Sequence, residues 1–78
     1  MPEIPLSNLN IGERARIVSI EGSGAARRRM MDMGLVPGST IETIRKAPMG
    51  DPIEFKIRGY MISLRKDEAD RIIVRRSD

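Results

Sequence analysis

The sequence predicts a small, mostly β domain: a barrel of about five short antiparallel strands with one inserted helix. Three observations carry that prediction. Ile53–Ile57 and Tyr60–Leu64 are alternating runs separated by Arg58-Gly59, which is the pattern of a two-residue hairpin whose glycine supplies positive φ. Thr40–Lys46 and Ile72–Arg75 are rich in β-branched residues, which suit a pleated, half-buried surface. A single stretch changes period: Ala26, Met30 and Met33 recur at i, i+4 and i+7, the spacing of one helical face.

In chain order, Met1–Asn10 reads as an extended lead-in with Ile4, Leu6 and Leu9 available to the core, and Asn10-Ile11-Gly12 as a turn. Glu13–Ile20 reads as the first strand. Its alternation slips between Ile17 and Val18, which fits either a bulge or burial on both faces. Ser23 is placed to cap a helix over residues 24–33, its hydroxyl accepting from a backbone N–H. Gly34 follows the last periodic residue, where a left-handed C-terminal cap has no room for a Cβ, and Pro37-Gly38 makes a turn. Ala47–Pro52 is a loop. Residues 65–71 are polar and suit a single helical turn, and Arg76–Asp78 a frayed tail. The unit Ser23–Thr40 is thus expected to be a crossover helix plugging one end of the sheet.

Seventy-eight residues make one domain, 1–78, with a compact core. The chain has no cysteine and no histidine, which removes disulfides and any thiolate or imidazole zinc site. No apolar run approaches ~20 residues, so membrane insertion is not expected. The first residues lack the basic start and apolar block of a secretory signal, which makes the cytoplasm the expected location. Fourteen basic and eleven acidic residues give a net charge of +3, and there is one Phe and one Tyr. Nucleic-acid binders need a dense basic stripe with aromatics for stacking, so no nucleic-acid partner is expected.

The ordered set Met33-Gly34-Leu35, Pro37-Gly38, Asp51-Pro52, Arg58-Gly59, Leu64-Arg65, Ala69 and Ile72-x-Val74 resembles the FeoA family of ferrous iron transport proteins. The resemblance runs from about Leu6 to Val74; Met30 departs from it mildly, standing where leucine is common. It implies an SH3-like barrel acting as a small cytosolic accessory of FeoB, the membrane ferrous-iron permease that carries a cytosolic GTP-binding domain. The same module follows DNA-binding and dimerisation domains in iron-dependent repressors. The start at Met1, without such domains, fits the free-standing accessory. The alternative function is a small-barrel regulatory or nucleic-acid-binding domain like the C-terminal domain of those repressors. The location implied is the cytoplasm, peripheral at the inner membrane through the partner, and a weak homo-oligomer is compatible with it.

The chemistry-bearing residues point to contact, not to catalysis. No nucleophile–base pair is recognisable, so no enzyme and no cofactor are expected. Asp67, Glu68 and Asp70 are the only carboxylate cluster, suited to a weak hard-ion site or to a solvated turn. Thioethers at Met30, Met31 and Met33 suit Cu(I) rather than Fe(II), and their spacing is explained by packing; no metal site is therefore expected. Arg27 and Met31 fall off the apolar stripe and form a mixed basic–apolar flank, while Arg28 and Asp32 can pair at i, i+4. Arg27, Arg28, Met31 and Arg58 are the candidate partner-binding residues. The adjacent arginines fit docking, solvating charge or an arginine finger supplied to a GTPase.

Overall fold

The computed structural model of the chain describes residues 2–77; the beginning of the lead-in at Met1 and the end of the expected tail at Asp78 lie outside the described residues. Six antiparallel strands form one sheet: β1 (Glu3–Pro5), β2 (Arg14–Ile20), β3 (Thr40–Lys46), β4 (Ile53–Ile57), β5 (Tyr60–Leu64) and β6 (Ile72–Arg76). Their spatial order is β1-β6-β2-β3-β4-β5. Two short helices interrupt them, α1 (Gly24–Asp32) and α2 (Lys66–Asp70), and a 3₁₀ turn spans Leu6–Asn8.

The extra strand comes from the lead-in. Glu3–Pro5 pairs with β6, Ile4 opposite Val74, and delivers Leu6 and Leu9 to the core, where both are fully buried. A proline-bearing segment can only serve at an edge, because proline donates nothing to the ladder. The C-terminal residues do not fray as expected. Arg76 ends β6 and pairs with Glu13, and the Ser77 N–H donates to the Arg14 carbonyl at 3.0 Å. The sheet order has two ends, so among the described residues no strand ladder removes both edges. The 3₁₀ turn that follows the edge strand β1 meets α2, which follows the other edge strand β5: the Ser7 hydroxyl donates to Asp70 at the end of α2.

The slip in β2 is a bulge. Ile17 pairs with Val74 and Ser19 with Ile73, so Val18 is the extra residue. The bulge lets Ala15, Ile17 and Ile20 all face inward while Val18 stays half-buried. A second register shift falls between Thr43 and Arg45 in β3. Phe55 in β4 is fully buried among Ile41, Ile53, Ile57, Leu64, Ile72 and Val74. The inner face of β5 tapers: Leu64 is buried, Ile62 half-buried and Tyr60 exposed.

Helix α1 is held less deeply than the three-residue stripe predicts. Met30 is buried, Met33 packs partly against the core, and Ala26 is exposed. Much of the plug is instead Leu35, fully buried just past the helix, with its N–H bonded to the Met30 carbonyl at 3.1 Å. Ser23 occupies the N-cap position with extended backbone, but its hydroxyl makes no capping bond.

Candidate functional site

The first turns of α1 and the glycine-rich loop before it enclose a shallow groove of about 320 Å³, lined by Gly22, Ser23, Gly24, Arg27, Arg28 and Met31. Three of the four candidate residues therefore come together. The helix is placed there because β2 ends at Ile20 and Gly22 and Gly24 turn the chain with positive φ.

Each of the three differs in freedom. The Arg27 Nε donates to the Ile20 carbonyl at 3.2 Å, which ties the helix back to the end of β2. Met31 is half-buried and packs against the core, so it is less of a surface residue than its position off the stripe suggests. Arg28 is exposed and makes no ion pair or hydrogen bond among the described residues; the expected pairing with Asp32 does not form. The next residue, Arg29, pairs with Glu68 of α2 across a separate cleft of about 630 Å³ floored by Met30 and Met33.

Arg58 lies outside the groove. It occupies the β4–β5 turn at φ 51 and its guanidinium donates to the Ser39 hydroxyl at 3.1 Å. The hairpin turn thus has positive φ at both central residues, a conformation that a non-glycine side chain adopts only at a cost. Its role in this fold is to pin the hairpin to the β2–β3 connection. Tyr60 adds a second pin that the sequence reading missed, its hydroxyl donating to the Met33 carbonyl at the end of α1. The only sequence signal for this was a lone tyrosine at a strand start that need not be inward.

Of the three carboxylates on α2, Glu68 and Asp70 are engaged by the protein itself, while Asp67 is exposed. Glu68 accepts from the Arg65 N–H at 2.9 Å and pairs with Arg29, while Asp70 accepts from Ser7 and lies 3.5 Å from Lys66 Nζ. The Ser7 hydroxyl, against the opposing effect of burial and with help from Lys66, holds the Asp70 carboxyl below its ordinary range. Glu13 is lowered too, first by the backbone N–H of Asn10 and then by Arg76. Among the described residues no three acidic groups are gathered so as to hold a metal ion.

The architecture is that of a small, mostly β domain with charged grooves around an apolar core, and among the described residues no helix is long and apolar enough to cross a membrane. Residues 4–76 match the FeoA domain, and the chain belongs to the FeoA family. A curated relative, the Fe(2+) transport protein A/Fe(2+) transporter FeoB fusion protein of Porphyromonas gingivalis (strain ATCC BAA-308 / W83), is 44% identical over 69 residues. The match takes in 88% of this chain but only 8% of that protein's length. The solved FeoA-like protein from Clostridium acetobutylicum is 42% identical, with a TM-score of 0.89 over 97% of this chain and 88% of that one. Stenotrophomonas maltophilia FeoA, solved with zinc and described as a prokaryotic SH3 domain protein, is 28% identical, with a TM-score of 0.79 over 90% of this chain and 87% of that one. A manganese-dependent transcriptional repressor shares the fold, at 17% identity and a TM-score of 0.87 over 97% of this chain and 42% of the repressor.

Proposed function

We propose that this chain is a non-enzymatic accessory of ferrous iron uptake that docks on the cytosolic part of a G-domain-bearing iron permease. Membership of the FeoA family supports the iron-uptake setting. The observation that carries the partner is the fused relative, in which a transport protein A segment and a FeoB transporter share one chain. Fusion raises effective concentration, so a contact too weak to persist between separate chains becomes saturated. A separate accessory needs a surface of its own to dock with. The groove of Arg27, Arg28 and Met31 supplies one: an unpaired guanidinium beside an adaptable thioether, on a helix fixed to the sheet by Arg27. Arg58 lies apart from this surface, with its guanidinium bonded to Ser39.

The test is a pull-down of the permease cytosolic domain, loaded with GDP and then with a GTP analogue, by the wild-type chain and by Arg28→Glu. Arg28 makes no hydrogen bond or ion pair among the described residues, so its reversal leaves the fold intact and adds repulsion to an acidic partner surface. Retention by the wild type and loss with Arg28→Glu supports the reading. Failure of the wild type in both nucleotide states refutes the partner, and unaltered retention of the variant refutes the groove. GTP hydrolysis by the GTP-loaded domain, measured with the wild-type chain and with Arg28→Lys, distinguishes docking, which leaves the rate unchanged by that exchange, from an arginine finger, which does not tolerate it.

A further inference from the structure

The bulge in β2 creates a second groove that the docking surface on α1 does not use. It encloses about 550 Å³ and is lined by Arg16, Ile17, Val18, Pro37, Gly38, Arg75, Arg76 and Ser77, of which the three arginines, Val18 and Pro37 give it its chemistry. Arg16 and Arg75 are direct cross-strand partners, and both are exposed. Like charges opposite one another on a sheet are destabilising, so folding alone gives no reason for the arrangement. Arg16 has no ion-pair partner among the described residues. Arg75 and Arg76 each meet one carboxylate through a single nitrogen, Arg75 to Glu3 at 2.9 Å and Arg76 to Glu13 at 3.1 Å. Among the described residues, the remaining N–H groups of all three forks have no side-chain acceptor.

The floor and wall are apolar and preformed. Val18, displaced from the ladder by the bulge, stands half-buried beside Pro37. The wall is stitched to β2 by two backbone bonds, Gly38 N–H to the Ile17 carbonyl at 2.8 Å and Ile17 N–H to the Ser39 carbonyl at 2.9 Å. Bulges recur where a side chain is re-aimed beside a functional surface.

We infer that this groove binds an acidic, apolar-anchored segment of a partner protein, the guanidinium forks taking its carboxylates and the Val18–Pro37 wall an adjacent aliphatic side chain. The match of charge carries the inference, since planar guanidinium groups pair bidentately with carboxylates. The wall selects among anions. Free phosphate has nothing to set against Val18 and Pro37; nucleic acid needs stacking aromatics, which the lining lacks; and a flat lipid surface does not reach into a groove.

The full chain is titrated into a fluorescent, end-capped peptide of alternating glutamate and leucine, followed by anisotropy, with a glutamine–leucine twin as the control. The expected result is saturable, salt-sensitive binding that weakens about tenfold or more with the neutral twin, with Arg16→Glu and with Val18→Ser. Arg16→Glu turns a like-charge pair into an opposite one, so its melting temperature should hold or rise, and lost binding then cannot be lost folding. Arg28→Glu, in the α1 groove, should bind the peptide as the wild type does, which separates this inference from the permease reading. Equal binding of the neutral twin, or full binding by Arg16→Glu, overturns the inference. So does displacement of the peptide by millimolar inorganic phosphate, or tighter binding to phosphatidylserine vesicles than to the peptide that is lost in Arg16→Glu.

Discussion

Replacing Gly34 by alanine tests the join between α1 and the β4–β5 hairpin. Gly34 sits at φ +94, and a Cβ built there falls 2.5 Å from the Tyr60 hydroxyl oxygen. Two costs follow. A non-glycine residue in left-handed backbone costs about 1–2 kcal/mol. The clash forces Tyr60 outward, and its bond to the Met33 carbonyl, worth roughly 0.5–1.5 kcal/mol net, is lost with it. Gly34→Ala should therefore destabilise by about 2–3 kcal/mol. In a domain of this size each kcal/mol lowers the melting temperature by about 4–8 °C, so a drop of roughly 10–20 °C is expected. The double-mutant cycle with Tyr60→Phe separates the two costs. Phenylalanine lacks the clashing oxygen, and its ring carbon is left 3.7 Å from the new Cβ, an ordinary contact. In that background Gly34→Ala should cost only the backbone strain, giving a coupling of about 1 kcal/mol. Thermal melts of the four proteins decide it. A Gly34→Ala variant that melts with the wild type, or one that costs the same in both backgrounds, would refute the argument.

Met30→Ala should cost about 2–5 kcal/mol because the side chain is fully buried, whereas Met33→Ala, half-buried, should cost clearly less; urea midpoints rank them. Arg27→Glu combined with Met31→Ser, which the helical wheel alone treats as neutral for stability, should lower stability by about 1–2 kcal/mol, since it removes the bond to Ile20 and a contact with the core; a melt that matches the wild type would place both residues on the surface. Thr43→Val should raise stability by roughly 1 kcal/mol in the same assay, because the Thr43 hydroxyl is fully buried and has no partner among the described residues. Ser7→Ala has a pH signature. The Asp70 carboxyl is held low in the folded state, chiefly by Ser7, so its contribution is present above the unfolded value of about 3.9 and is lost as pH falls through the folded one. The wild type's advantage over Ser7→Ala should thus be constant near neutrality and narrow below about pH 4; an advantage that widens in acid would contradict it.

Much of the fold is legible because its signals are local. The alternation of Ile53, Phe55 and Ile57, the β-branched run of β3 and the Arg58-Gly59 turn each constrain their own few residues, and the strands lie where those signals put them. The lead-in is different. Glu3–Pro5 carries two acts at once, a short edge strand and the delivery of Leu6 and Leu9, and nothing within it reveals that β6 is its partner. That pairing joins the two ends of the chain and is decided by the whole fold. The same holds for the candidate site. A wheel correctly separates Met30 from Arg28, but it cannot see that the Ile20 carbonyl waits for Arg27 or that Met31 meets the core.

The positions that interrupt the regular pattern are also the ones that fix features of the surface. Val18 breaks the alternation of β2, and the break yields both an inward Ile17 and Ile20 and an outward groove wall. Gly34 ends the helical period, and only a residue without a Cβ lets Tyr60 reach the Met33 carbonyl and hold α1 against the hairpin. Arg58 takes a conformation usually left to Asn or Gly, and in return its guanidinium reaches Ser39 in the connection that flanks Pro37-Gly38. Each departure costs local stability and fixes one surface feature relative to the sheet. In a domain with so small a core, such costs persist only where the surrounding fold over-determines them, as the two pins on the hairpin and the two backbone bonds on the loop wall do here.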